Sequence, residues 1–136
     1  MKIGRISGSA AIINDKRILL TKRTPNLKRF PDYWTFPAGG IDETDESVEA
    51  CVMREVKEET GLDFKPTKKL NFYESHADGE RIISLVFLGE WEGEMRPEPK
   101  EVSEAKFFTY QQTKELKLAF AYKEVIGDLK ELGLIE

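Results

Sequence analysis

Glu55, Glu58 and Glu59 stand at i, i+3 and i+4, so on a helix their side chains are surface neighbours. Each like-charge pair at that spacing costs roughly 0.2–0.5 kcal/mol. A helix over 48–60 also puts Glu58 and Glu59 in its last turn, where the negative end of the macrodipole disfavours anions by roughly 0.3–1 kcal/mol each. As helix design the arrangement is poor. As a set of oxygen ligands it makes sense, because Mg²⁺ is usually held by a few carboxylates together with substrate phosphates. A solvated acidic face paired with Arg54 and Lys57 accounts for the charges, but not for the Gly40, Glu46 and Gly61 that flank them.

The elements that must position these acids are legible nearby. Ser47 is an N-cap for a helix from Val48 to Thr60, and Gly61 sits where a left-handed residue ends it. Val48, Val52 and Val56, with Cys51 beside them, form an apolar stripe that should pack inward. Upstream, Ser9 to Asn14 and Arg17 to Thr21 read as strands of a hairpin around Asn14-Asp15-Lys16. Thr24 to Tyr33 carries two prolines and reads as a loop leading into Trp34-Thr35-Phe36 and Pro37-Ala38-Gly39-Gly40. Downstream, Lys69 to Ser75 and Arg81 to Trp91 read as paired strands joined through Asp78-Gly79. Ile82 to Leu88 is apolar enough to be a central strand. Ala105 to Thr109 offers a last short strand, and Tyr122, Val125, Ile126, Leu129 and Leu132 recur at helical spacing before Gly133. Strands on either side of one helix, followed by a terminal helix, predict an α/β fold: a mixed β-sheet between helices, an α/β/α sandwich.

Composition bounds the function classes. The 136 residues, 40% hydrophobic and 10% aromatic, suit one domain spanning 1–136. There is no run of about eighteen apolar residues and no signal-peptide pattern, so the expectation is a cytoplasmic protein without a membrane partner. Cys51 is the only cysteine and reads as a small buried hydrophobe. The net charge of −4 argues against a nucleic-acid polymer as partner. A free nucleotide stays compatible, because a bound metal and a few local cations reverse the sign of a site.

The residues from Gly40 to Leu62 follow the spacing G-x5-E-x7-R-E-U-x-E-E-x-G-U, with U aliphatic and every position filled. In this the chain resembles the Nudix hydrolases, of MutT-like type. The resemblance implies the Nudix fold, itself an α/β/α sandwich, and metal-dependent hydrolysis of a nucleoside diphosphate linked to another moiety. It implies Mg²⁺ or Mn²⁺ held by Glu55, Glu58 and Glu59 with the main-chain carbonyl of Gly39. Arg54 would orient a catalytic glutamate and Glu46 would support it. A base or further ligand on a later loop points to Glu94, in Trp91-Glu92-Gly93-Glu94, or to Glu101 with Glu104. Glu55 and Glu59 stay open as the base beside them.

Substrate identity is less constrained. The expected substrate is a (d)NTP cleaved to (d)NMP and pyrophosphate, with a nucleotide sugar or coenzyme A as alternatives. Ala77-Asp78-Gly79-Glu80, past the box, lacks the proline typical of ADP-ribose pyrophosphatases and the tyrosine typical of dinucleoside-polyphosphate hydrolases. Arg23, Lys28 and Arg29 are candidates to meet phosphates, and Phe30, Tyr33 or Trp34 to stack on a base. A non-catalytic nucleotide-binding module is the rival class, though such modules usually lose box glutamates. An isoprenyl diphosphate isomerase normally needs a cysteine outside the box, and an adenine glycosylase needs a DNA-binding domain for which this chain has no room. A homodimer is an assembly that the resemblance allows.

Overall fold

Two hairpins with the same turn chemistry organise the strands of the computed structural model, which describes residues 3–136. Ile13–Asn14 (β2) turns into Arg17–Arg23 (β3) through Asp15 and Lys16, at φ 51° and 61°. Asp63–Ala77 (β6) turns into Glu80–Glu92 (β7) through Asp78 and Gly79, at φ 53° and 76°. Two central residues at positive φ suit the right-handed twist of the strands they join.

The first strand, Ile3–Ala11 (β1), lies parallel to β7 and antiparallel to Ala38–Gly40 (β5). One mixed sheet therefore runs β5-β1-β7-β6, with β7 in its interior. The second sheet is antiparallel. In it β3 pairs with β2 and with Trp34–Thr35 (β4), and also with Val102–Phe108 (β8). The strands thus divide between two sheets where the sequence implies one. β1 also starts at Ile3 rather than Ser9, and β6 at Asp63 rather than Lys69. Neither extension has an apolar run: 3–8 is rich in glycine and polar residues, and 63–68 carries lysines and Pro66. Their strand character comes from pairing with β7, and Pro66 is tolerated because β6 is an edge strand.

Helices cover both faces. Val48–Thr60 (α1) buries Cys51, Val52 and Val56, the latter two packed with Ala10, Ile12, Leu19 and Phe87. Tyr122–Glu131 (α3) buries Tyr122, Val125, Ile126 and Leu129 with Ala11, Ile18, Leu20 and Val86. Ile18 and Leu20 point to the α3 side and Leu19 to the α1 side, the period of two expected of a strand buried on both faces. A short helix, Tyr110–Thr113 (α2), links β8 to the last segment. Among the described residues no helix is long and apolar enough to cross a membrane.

Both ends of α1 are specified. Ser47 Oγ accepts the Ala50 N–H, and Gly61 ends the helix at φ 78° with its N–H on the Lys57 carbonyl. The loop after β7 then donates the Arg96 N–H to the Thr60 carbonyl (2.6 Å) and the Glu98 N–H to the Glu59 carbonyl (3.0 Å). These bonds satisfy acceptors that a helix end leaves open. On its inner face α1 meets β1 at Gly8, where a Cβ would lie 2.5 Å from Val52 Cγ2 and 3.3 Å from the Val48 carbonyl oxygen. Gly8→Ala should therefore push α1 outward and cost about 1–3 kcal/mol, the usual range for overpacking. A lowered thermal midpoint checks this; an unchanged one would contradict the close approach.

Candidate active site

The site forms where α1 crosses β5. Gly39 pairs with Gly8 across the sheet edge, so two glycines face each other beneath the helix. A Cβ built on Gly39 would fall on the carboxyl group of Glu55. One residue earlier, the Ala38 N–H donates to Glu59 Oε1 at 2.9 Å. The Gly39 carbonyl oxygen accepts a weak hydrogen bond from Cys51 Sγ at 3.5 Å. Burial pushes the Cys51 thiol up to about 11, which leaves it protonated and inert at neutral pH.

The three helix acids have different surroundings. Glu59 dips into the seam, and burial, reinforced by Glu55, holds its carboxyl well above the usual carboxylate range. Glu55 is also raised by burial, against the opposing pull of Arg54. Glu58 faces solvent, its side chain 57% exposed. Among the described residues no three acidic or other ligating side chains are already converged on one point, so the expectation that the trio points together is corrected. Surface adjacency on a helix sets where the Cβ atoms lie; β5 then draws Glu55 and Glu59 inward and leaves Glu58 outside. The donor set still fits a hard divalent cation. It offers carboxylate and carbonyl oxygens, and two of its acids carry a burial penalty that a positive charge relieves.

Arg54 reaches two ways. Its Nη1 donates to Glu55 Oε1 at 2.7 Å and to Glu58 Oε2 at 3.4 Å. Its Nε and Nη2 donate to both oxygens of Asp45, at 3.0 and 2.9 Å. The guanidinium lowers the Asp45 carboxyl to about 2. The structure seats Asp45 against Arg54 in the place expected of Glu46, which is exposed one residue further on. The turn before the helix explains this: the N–H of Asp42 donates to Asp45 Oδ2 (3.0 Å), and the N–H of Asp45 donates back to the Asp42 carbonyl (3.1 Å). That exchange directs residue 45 inward and residue 46 out.

The three later glutamates separate cleanly. Glu94 is 83% exposed and pairs with Arg96 at 3.2 Å. Glu101 lies at the start of β8, where its charge acts on Glu55, Glu59 and Arg23 alike. Glu104, on β8, pairs with Lys106 at 3.5 Å.

Next to Glu59 a cavity of about 30 Å³ opens between the sheets, with Arg5, Arg23, Ser84, Phe120 and Tyr122 among its walls. It adjoins a groove of about 590 Å³ that shares Arg5 and Arg23 and adds Lys28 and Arg29. Burial and the neighbouring Arg5 lower the Arg23 guanidinium below its usual value, against the pull of Glu59. Arg29 is already engaged, by Asp78 at 3.0 Å and Glu80 at 3.2 Å, while Lys28 is exposed. Phe30 meets Phe120 edge to face at 4.7 Å, and the Arg23 guanidinium lies 5.4 Å from the Phe120 ring centre. Both phenylalanines hold positive φ, 48° and 53°, a strain of about 1–3 kcal/mol each that tends to gather at ligand sites. Trp34 is corrected from a stacking platform to core. It is 7% exposed, packed edge-on against Phe108 and bridged to Leu118.

Comparison with known proteins decides the family. The NUDIX domain family matches residues 5–129. The chain belongs to the Nudix family. It is 38% identical over 119 residues to an ADP-ribose pyrophosphatase of Methanocaldococcus jannaschii, covering 86% of this chain and 68% of that protein. A MutT Nudix hydrolase from Burkholderia pseudomallei superimposes with a TM-score of 0.80 at 30% identity, covering 92% of this chain and 97% of that one. Some Nudix relatives are longer: an m7GpppN-mRNA hydrolase of Danio rerio is 31% identical over 108 residues, 65% of this chain and 36% of its own length. The chain is thus a Nudix hydrolase acting on phosphoric anhydride bonds, with the mixed sheet and flanking helices of that fold. Nudix hydrolases generally need a divalent metal ion.

Three residues of this Nudix site escaped the sequence reading. Asp45 occupies a variable position of the box, Arg5 lies in a stretch with no strand signal, and Phe120 precedes α3 without a local cue. The acidic run Asp42 to Glu46 is a usable signal for the first, because it offers Arg54 more than one possible partner.

Proposed function

We propose that this chain is a metal-dependent pyrophosphohydrolase of nucleoside diphosphates linked to a second moiety, with the nucleotide sugar ADP-ribose as the first substrate to test. One observation carries the reading: the buried Glu59 carboxylate shares a cavity with Arg5 and Arg23. Carboxylates alone would repel a diphosphate. Cations facing them let its oxygens be held at both ends. The neighbouring groove, at about 590 Å³, has the size of an ordinary small-molecule site. The 38% identical relative named an ADP-ribose pyrophosphatase supports the choice of test substrate.

In this reading Glu58, Glu59, Glu55 and the Gly39 carbonyl would hold a divalent metal, which would supply positive charge to a bound diphosphate and make the attacking water more acidic. Glu55 is the carboxylate best kept for accepting the water's proton, since Arg54 holds it at 2.7 Å and burial raises its basicity. Glu101 adds negative charge that raises Glu55 and Glu59 further. Arg5, Arg23 and Lys28 meet the phosphates, with Arg29 latching the loop that carries Lys28. Phe30 and Phe120 face the base or sugar.

A (d)NTP is the second reading, and the turn past the box favours it. Asp78 and Gly79 both hold positive φ, which no proline adopts, so the turn itself has no place for a proline at those two positions. Incubation with Mg²⁺ and a panel of ADP-ribose, (d)NTPs and coenzyme A, with product identification, separates the readings. AMP and ribose 5-phosphate from ADP-ribose support the first; a (d)NMP with pyrophosphate supports the second. No turnover with Mg²⁺ or Mn²⁺, while a nucleotide still raises the thermal midpoint, would make the chain a binding module.

A further inference from the structure

We propose that Asp45 is a positioning residue for hydrolysis: it fixes the guanidinium of Arg54, and Arg54 in turn fixes the Glu55 carboxylate. The proposal rests on the metal-dependent reading of the same site. Four contacts in series carry it. The Asp42 turn pre-sets Asp45, whose side chain is only 4% exposed. Both Asp45 oxygens then hold Arg54, at 3.0 and 2.9 Å. Paired bonds of this kind fix the plane of a guanidinium as well as its place. The remaining nitrogen, Nη1, points at Glu55 Oε1 at 2.7 Å. Glu55 itself lies against Gly39, so its carboxylate is pinned between a backbone and a guanidinium that cannot rotate.

Without Asp45 the chain of constraint opens at its root. Arg54 would keep Glu55, the exposed Glu58 and a longer contact to the exposed Asp42 (3.8 Å), and the two glutamates are acids that a bound cation must share. The guanidinium would then follow Glu58 into solvent, and Glu55 would lose its fixed orientation. Groups that orient metal ligands without touching the metal typically matter by 10- to 100-fold in affinity or rate.

The test uses Asp45→Asn, Arg54→Ala and the double variant. Turnover with Mg²⁺ and Mn²⁺ binding to the substrate-free protein are both measured. Asp45→Asn should lower kcat by about 10- to 100-fold with KM within about twofold, and should weaken Mn²⁺ binding by a similar factor. In the Arg54→Ala background the same substitution should add less than about twofold, because its effect passes through Arg54. A role confined to stability would instead lower the thermal midpoint in both backgrounds and leave Mn²⁺ affinity alone. A folded Asp45→Asn whose kcat and Mn²⁺ affinity both stay within about twofold of the original overturns the proposal, as does a full additional loss on top of Arg54→Ala. Should Asp45→Asn not fold, Arg54→Lys decides: a lysine keeps the charge but cannot hold two oxygens and reach Glu55, so wild-type turnover and Mn²⁺ binding in that variant overturn it equally. Absence of turnover in the original protein would count against the proposed function, while the Mn²⁺ comparison would still decide the role of Asp45.

Discussion

Glu59→Gln should lower Mg²⁺-dependent turnover by at least about 10²-fold and, in metal-free protein, raise stability at neutral pH. The two effects have one cause. The Glu59 carboxyl group is held in the seam between α1 and β5, where burial and Glu55 disfavour its charge while the Ala38 N–H and Arg23 favour it. Removing a principal stabiliser of transition-state charge costs on the order of 10²–10³ in rate. The same removal relieves the folded protein of a buried charge, and a glutamine oxygen can still accept the Ala38 N–H. The pH dependence follows in sign. The folded-state pKa of Glu59 is raised above its ordinary value of 4.5, so its contribution to stability is fully present below pH 4.5 and is lost as pH climbs through the raised value. Metal-free wild-type protein should therefore lose thermal stability across that interval more steeply than Glu59→Gln. Parallel melting profiles, or retained turnover in both Glu59→Gln and Glu58→Gln, would sink the assignment.

Gly39→Ala should separate activity from folding. The nearest atoms to its added Cβ are those of the Glu55 carboxyl group, at the far end of a flexible side chain. The side chain can swing away, and residue 39 is in strand β5, where alanine is permitted. Stability should change by no more than about 1 kcal/mol. Turnover should fall by about 10²-fold, because Glu55 can no longer rest against Gly39. Gly8→Ala, on the paired strand, has the opposite signature, since its added atom meets the branched side chain and backbone of the helix core. Steady-state kinetics and thermal unfolding on both variants check the contrast. An active Gly39→Ala would show that the two groups need not touch.

What could be read from the chain alone was local. Helix α1 runs from Val48 to Thr60 with the Ser47 cap and Gly61 stop expected of it, because capping and periodicity are written in adjacent residues. The turns at Asp15-Lys16 and Asp78-Gly79 are legible for the same reason. The ends of β1 and β6 were not, because their strand character is conferred by β7, a distant partner. The division into two sheets is equally a matter of pairing at long range. At the candidate site, spacing singles out Glu55, Glu58 and Glu59 but not their different depths, to which β5 contributes. Trp34 shows the limit of type-based reasoning, since an aromatic residue beside a loop looks the same in sequence whether it packs inward or faces a ligand.

The order in which these strands are made has a consequence for the growing polypeptide. β1 carries β5, and with it Gly39, on one edge, but its other edge is completed only by β7, some seventy residues later in the chain. A nascent chain that has just released α1 from the ribosome already bears every acid of the box. It has no firm strand to set them against, because pairing across such a separation must wait for the later segment. Synthesis of Glu80–Glu92 is therefore the earliest point at which the sheet beneath the box can close, and chains abandoned before it carry the box without that support.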